Sequence, residues 1–279
     1  MKVVCSIKKD NDLISSLMDF GFSYDLSHYL YRHKENILVN NKPLTSTDLK
    51  IGDVLIINLV EENKSYGCSS SPLNIVYEDD YLLIVSKRKN QATIPTINHY
   101  NDNLSSDVAN YYLKNKILSK IHCVTRLDYE TSGLVIFAKH QYIHNLLMKT
   151  NIEKYYVAKV RGIINENGCI KLSISKDPND KKKRIISSDG KESVTEYEII
   201  GYDKNCTLVK AHLLTGRTHQ IRVHFSSIGH PLVGDSLYGN DQNKDLELEC
   251  YNLIFVHPIS KKLLNIKKEN NILKQKMHV

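Results

Sequence analysis

The chain has 279 residues, 41% of them hydrophobic, which is enough for one large domain with a small companion and excludes global disorder. Thirty-eight Lys and Arg against 31 Asp and Glu leave a net charge of +7, which favours a polyanionic partner. Six dispersed cysteines form no C-x-x-C pair, so reduced thiols rather than a structural zinc site are expected; with no apolar run near the ~18 residues of a membrane span and no secretory leader, the expected location is the cytoplasm.

In chain order, Leu13, Leu17 and Phe20 have helical spacing, as do Leu26, Tyr29, Leu30 and His33. Ile37-Leu38-Val39, the polar turn Asn40-Asn41-Lys42, and Gly52-Asp53 opening Val54-Leu55-Ile56-Ile57 then predict short strands. Residues 1–60 therefore form a small α+β unit. On Ile37 to Lys42 and Ile51 to Leu55 it resembles the S-four-type RNA-binding module, although Tyr24 follows Ser23 where that module usually has Arg. The resemblance implies RNA contacts, for which Arg32 and Lys42 are the candidates.

Residues 61–72, with Gly67 and Ser69 to Ser71, are polar and aperiodic, as a linker would be. Beyond them short apolar runs recur at Tyr81 to Val85, Leu134 to Phe137, Tyr155 to Val160, Val194 to Ile200 and Leu208 to Leu213. Their brevity and Val, Ile and Tyr content predict an α+β domain over 73–260 around a central mixed or antiparallel β-sheet. The lysine-rich tail, 261–279, is expected to add a strand at Leu263-Leu264.

Three segments carry candidate chemistry. Thr125-Arg126-Leu127-Asp128-Tyr129-Glu130-Thr131-Ser132-Gly133 delivers a carboxylate and a guanidinium at the mouth of the strand Leu134 to Phe137. Arg-x-Asp pairs in loops are more often surface ion pairs contributing about 0–1 kcal/mol, so the segment gains weight only from the others. In Lys154 to Gly162, alternation puts Tyr156, Ala158 and Val160 on one face, with one tyrosine inward. In Thr215 to Pro231, an N-cap at Thr218, a left-handed cap at Gly229 and Pro231 predict a helix of about ten residues. Ile221, Phe225 and Ile228 would share its buried face, and His219, Arg222 and Ser226 a second one. An inward Arg222 needs a carboxylate, and Asp128 is the expected partner. His219, His224 and His230 lack the i, i+4 spacing of a helical metal pair, so no metal is expected. Lys181, Lys182, Lys183 and Arg184 lie in a turn-rich stretch where phosphate contact competes with a merely solvated face.

Together these segments resemble the RluA family of RNA pseudouridine synthases. The resemblance rests on Ile75 to Lys87, on Arg126-Leu127-Asp128 with Thr131-Ser132-Gly133-Leu134, and on Lys154-x-Tyr156-x-Ala158. It extends through Gly216 to His224, Gly229 to Asp235, and Leu237-Tyr238-Gly239. Thr125 stands where the family usually has His, and Lys87-Arg88-Lys89-Asn90 where it usually has Lys-Pro-x-Gly. The resemblance implies the pseudouridine synthase fold and a cofactor-free isomerisation of uridine. It further implies Asp128 as catalytic carboxylate, Tyr156 stacked on the base, Arg222 paired with Asp128, and Arg126 filling the space left by an extruded uridine. Leu127, Thr131, Arg217, His219 and Gln220 would complete the substrate site. The aspartate could act as nucleophile at the anomeric carbon or as base at the neighbouring sugar position. The implied partner is RNA, ribosomal before transfer, with the enzyme a monomer. The competing class is a non-catalytic RNA-binding ribosome-assembly factor, and a sugar hydrolase with paired carboxylates ranks last.

Overall fold

The structure is a computed structural model that describes residues 1–61, 71–239, 241 and 245–269. Near the N-terminus the helix Leu13–Asp19 is capped by the Asp12 carboxylate, which accepts from the Ser15 amide at 3.0 Å, and the helix Tyr24–Arg32 by the Ser23 hydroxyl, which accepts from Leu26 at 3.3 Å. They accompany a four-stranded sheet in the order Lys2–Ser6, Val54–Asn58, Ile37–Val39, Lys42–Pro43. Asn40 and Asn41 both adopt positive φ, 51° and 64°, the left-handed pair that closes a tight hairpin between Val39 and Lys42. The strand Lys2–Ser6 carries little sequence signal and is held by pairing with Val54–Asn58.

This small unit is packed on the rest of the chain. Phe22 stacks on Tyr142 with ring centroids 4.2 Å apart, and the Tyr142 hydroxyl donates to the Phe20 carbonyl at 3.0 Å. Glu61, expected to open a loose linker, is instead anchored. Its carboxylate accepts from the Lys120 and Gln141 amides, both at 2.9 Å, and meets His122 Nε2 at 2.8 Å. Burial would raise its pKa, but the His122 contact and charge win and bring it to about 2. Residues 62–70 of the expected linker, and 270–279 of the tail, lie outside the described residues.

The second body is built on a ten-stranded mixed sheet. Its main path runs Gly168–Lys171, Val194–Asp203, Cys206–Leu213, Glu153–Arg161, Leu248–Val256, Ser132–Ala138, Leu82–Lys87, Ile75–Glu78. His122–Cys123 joins Ser132–Ala138, and Leu263–Lys267 joins Leu248–Val256, so the strand expected at Leu263-Leu264 is present. All named pairings in it are antiparallel except Ser132–Ala138 with Leu248–Val256. All seven residues of Ser132–Ala138 are buried, which is why that segment reads as a continuous apolar run. The helices Leu104–Lys114 and Gln141–Met148 complete this body, together with the helix Gln220–Ser227. No helix among the described residues is long and apolar enough to cross a membrane.

The parallel contact forces one residue choice. Gly133 has φ +118°, and a Cβ there would sit 2.2 Å from the Cys250 carbonyl oxygen and 2.5 Å from its nitrogen. The strand can leave the Asp128 loop along this path only if residue 133 has no side chain. Gly133→Ala should therefore lower unfolding free energy by about 2–4 kcal/mol, from strain plus overpacking, as read by urea denaturation; a loss below ~0.5 kcal/mol would contradict this close approach.

Candidate active site

The loop before Gly133 is pinned on both flanks. Thr93 Oγ1 donates to the Leu127 carbonyl at 2.7 Å and accepts from the Leu127 amide at 3.2 Å, while Thr125 Oγ1 accepts from the Ile136 amide at 3.0 Å. Past Asp128, the Thr131 amide closes a turn onto the Asp128 carbonyl at 3.1 Å. Beneath that turn Lys87, 0% exposed, donates to the carbonyls of Arg88, Gln91 and Tyr129 at 3.0, 2.8 and 3.0 Å. Burial drags its pKa down, the Asp128 charge opposes, and the result is about 7. With its backbone so held, the half-buried Asp128 carboxylate makes no hydrogen bond or ion pair with any described residue and lines a cleft of about 520 Å³.

Across the cleft the helix spans eight residues, Gln220–Ser227, shorter than its caps suggested. Thr218 is not its N-cap: His219 takes that position at φ +58°, with no side-chain cap bond. Gly229 does adopt the left-handed turn, φ +82°, and the His230 amide returns to the Phe225 carbonyl at 2.9 Å. Ile221 and Phe225 are buried as expected, whereas Ile228 lies past the last turn and is 38% exposed.

The expected Arg222–Asp128 pair is not formed. Arg222, 1% exposed, grips Asp235 with Nε and Nη2 at 2.8 and 2.7 Å and meets Glu130 Oε2 with Nη2 at 2.7 Å. Asp235 fits the planar fork in the bidentate way, and Glu130, two residues past Asp128, takes the remaining direction. Asp128 acts on Arg222 only at longer range. Burial would lower the Arg222 pKa, but these carboxylates outweigh it and keep the guanidinium charged. Its ring neighbour is Tyr238, 5.4 Å from the guanidinium carbon. The Tyr238 hydroxyl meets His219 Nδ1 at 2.8 Å, and the Ser226 hydroxyl donates to the Tyr238 carbonyl at 3.2 Å. Thus the expected face of His219, Arg222 and Ser226 is real, and Tyr238 covers it. Burial lowers the His219 pKa against the pull of Asp128.

Tyr156 reaches the same cleft from the strand Glu153–Arg161 and is 6% exposed, with its hydroxyl against the Cys250 thiol. Burial raises its pKa well above the ordinary phenol value, so the ring presents a neutral face. Lys154, two positions earlier, lines the cleft as well, and no described residue accepts from its ammonium. Sequence reasoning gave Lys154 no role, although the period-two spacing from Tyr156 already placed both on one strand face.

All nine residues expected at the catalytic and substrate positions line this one cleft: Asp128, Tyr156, Arg222, Arg126, Leu127, Thr131, Arg217, His219 and Gln220. Arg126 is exposed at its rim. The Gln220 amide is fully occupied by the fold: Nε2 donates to the Val194 carbonyl and Thr195 hydroxyl, and Oε1 accepts from Thr215 and the Arg217 amide, all at 2.8–3.0 Å. Its place is structural support. None of Arg32, Lys42, Lys181, Lys182, Lys183 and Arg184 lines the cleft, although Arg184 lines a cavity adjoining it. Among the described residues no group of three His, Cys, Asp or Glu could hold a metal ion.

Residues 63–227 match the family described as RNA pseudouridylate synthase. The chain belongs to that family. It is 34% identical over 221 residues to an uncharacterised RNA pseudouridine synthase, YjbO, of Bacillus subtilis, covering 76% of this chain and 78% of that one. The dual-specificity RNA pseudouridine synthase RluA of Vibrio cholerae is 32% identical over 200 residues, covering 67% and 79%. The ribosomal large subunit pseudouridine synthase D of Neisseria meningitidis serogroup A is 31% identical over 246 residues, covering 80% and 66%. Among solved structures, human RNA pseudouridylate synthase domain containing 1 superposes with a TM-score of 0.61 at 24% identity over 74% of this chain and 87% of that one, which shows the pseudouridine synthase fold. The enzyme is an RNA pseudouridine synthase, an isomerase, of α+β class with a central mixed sheet.

The buried Lys87 under the Asp128 turn has a measurable consequence. Lys87→Met leaves the Arg88 and Gln91 carbonyls without this donor, while the Tyr129 carbonyl keeps the Gln91 amide at 3.1 Å, and should cost about 2–3 kcal/mol. With a folded pKa of about 7 against 10.5 for the free group, the unfolded chain holds the extra proton between those values. Lys87 therefore makes stability rise with pH across that window, by at most about 1.4 kcal/mol per pH unit. Urea unfolding at rising pH should show this slope in the wild type and not in Lys87→Met; equal slopes would refute it.

Proposed function

We propose that the enzyme converts uridine to pseudouridine in ribosomal RNA, specifically the 23S RNA of the large subunit, with Asp128 as the reacting carboxylate. The observation that carries this reading is the Asp128 carboxylate itself. It is held by its backbone, free of protein partners among the described residues, and shares a cleft with the neutral ring of Tyr156. A structural aspartate would have its charge spent on a neighbour, as Asp235 and Glu130 do.

In the reaction the bond from the sugar anomeric carbon to uracil N1 breaks, the base turns, and its carbon five bonds to the anomeric carbon; the proton on carbon five is released to solvent and N1 takes one up, so the product is an isomer. Asp128 either attacks the anomeric carbon or removes a proton from the neighbouring sugar carbon, and both routes need it ionised. Extruding the uridine from a stack costs a few kcal/mol. Stacking on Tyr156 offsets about 1–3 kcal/mol, and Arg126, exposed at the rim, is suited to occupy the gap left in the RNA. Ribosomal RNA is favoured because one relative is named for the ribosomal large subunit. Residues 1–60 act in this reading as an S-four-like RNA-binding module through exposed Arg32 and Lys42, beside a catalytic domain of 73–260. The enzyme works as a cytoplasmic monomer without a cofactor.

Asp128→Asn should cut tritium release from ribosomal RNA labelled at uridine carbon five by at least about a thousandfold, while RNA affinity stays within a few-fold. Turnover near the wild-type rate would refute the catalytic assignment. Release from labelled transfer RNA with none from ribosomal RNA would overturn the substrate.

A further inference from the structure

A second cavity, of about 1020 Å³, opens beside the catalytic cleft and shares Gly216 and Arg217 with it. One wall is the hairpin of Ile174–Lys176 and Arg184–Ile186, and the other is the Gly216 to Thr218 segment that leads into the helix Gln220–Ser227. Lys176, Arg184, Lys191 and Arg217 line it, against a single acid, Asp189.

Among the described residues these four cations form no ion pair. Among the described residues the Arg184 guanidinium donates to the Lys181 and Lys183 carbonyls, that of Arg217 to the Glu192 carbonyl, and neither Lys176 nor Lys191 has a side-chain partner. Elsewhere surface lysines do pair, as the half-buried Lys210 does with Glu198 and the exposed Lys9 with Asp19. Moreover, Lys176 and Arg184 are direct partners across the hairpin. Like charges directly opposite each other on adjacent strands destabilise the pair, so the folded chain pays here for a field it does not itself use.

The hairpin is also fastened to the catalytic side, because the Arg184 amide donates to the Tyr238 hydroxyl at 2.9 Å, and that hydroxyl meets His219. A polyanion in this cavity would thus lie against a wall in register with the cleft. We propose that the cavity is a phosphate channel, taking the sugar-phosphate backbone of the RNA strand that leads away from the uridine in the cleft. The proposal rests on the reading that the cleft receives that uridine, and it assigns Lys176 and Lys191 a role distinct from chemistry.

The test is the salt dependence of binding to a fluorescein-labelled single-stranded RNA oligonucleotide of mixed sequence. Each neutralised phosphate contributes about 0.7 to the slope of log affinity against log salt. Lys176→Gln with Lys191→Gln should therefore flatten the slope by about 1.4 and, from a common affinity at about 1 M salt, weaken binding about 25-fold at about 100 mM. On tritium-labelled ribosomal RNA the same protein should show a raised KM with kcat within about twofold. The control removes two charges at Lys114 and Lys116, which line neither cavity. An unchanged slope in the cavity variant, or an equal flattening in the control, overturns the proposal. An Asp128→Asn enzyme that kept turning over would sink the catalytic reading and leave these slopes untouched, so the two failures are distinguishable.

Discussion

The site depends on a guanidinium buried between two carboxylates. Arg222 is fixed by Asp235, which lies on the segment after the helix, and by Glu130, which belongs to the Asp128 loop. One side chain therefore ties the helix, the loop and the Pro231 to Gly239 segment into a single arrangement. Removing one partner of such a buried pair costs about 3–5 kcal/mol because the other charge is stranded. Asp235 is itself saturated, since Oδ1 also accepts from the Leu237 and Tyr238 amides at 3.0 and 2.9 Å. Because Arg222 is consumed by these two acids, Asp128 keeps its carboxylate for the cleft.

The rest of the protein serves that placement from opposite sides. From below, Lys87 gathers three carbonyls under the turn. From the side, the central sheet brings Tyr156 and Lys154 into the cleft. Where the strand leaves the loop, Gly133 permits backbone contact with Cys250 that no other residue allows. The positive field is then extended past the chemistry by the hairpin of Ile174–Lys176 and Arg184–Ile186. In the proposed reading, reaction and RNA positioning fall to different residues on adjoining surfaces, as expected for an enzyme that must hold a polyanion while acting on one nucleotide.

Much of this was legible from the sequence, and the misses have physical causes. The strands at Leu134 to Phe137, Tyr155 to Val160 and Leu208 to Leu213 were plain because buried strands concentrate Val, Ile and aromatic residues. The helix Leu104–Lys114 was not, because its buried face carries Ser105, Ser106 and Asp107, polar residues; the partners of two of them, Thr93 for Ser105 and Gln91 for Asp107, come from the irregular segment before the helix. The nine cleft residues were legible as motifs, but pairing was not. Arg222 needed a carboxylate, and three acids were within the same motifs; only the fold shows that Asp235 and Glu130 reach it first. Gln220 was read as a substrate contact because a buried amide beside a cleft arginine has no signature distinguishing a scaffold bond from a ligand bond.

The claim that Arg222 works by holding the Asp128 loop through Glu130, and not by pairing with Asp128, is tested most directly by Glu130→Gln. That change keeps the shape of the side chain and its contact with Ser236 while weakening the link to Arg222. Measured as the single-turnover rate of pseudouridine formation with RNA in excess of its dissociation constant, the account predicts a fall of about a hundredfold, the size expected when a reacting group is displaced by about 1 Å, with RNA affinity unchanged. A wild-type rate in Glu130→Gln would contradict it.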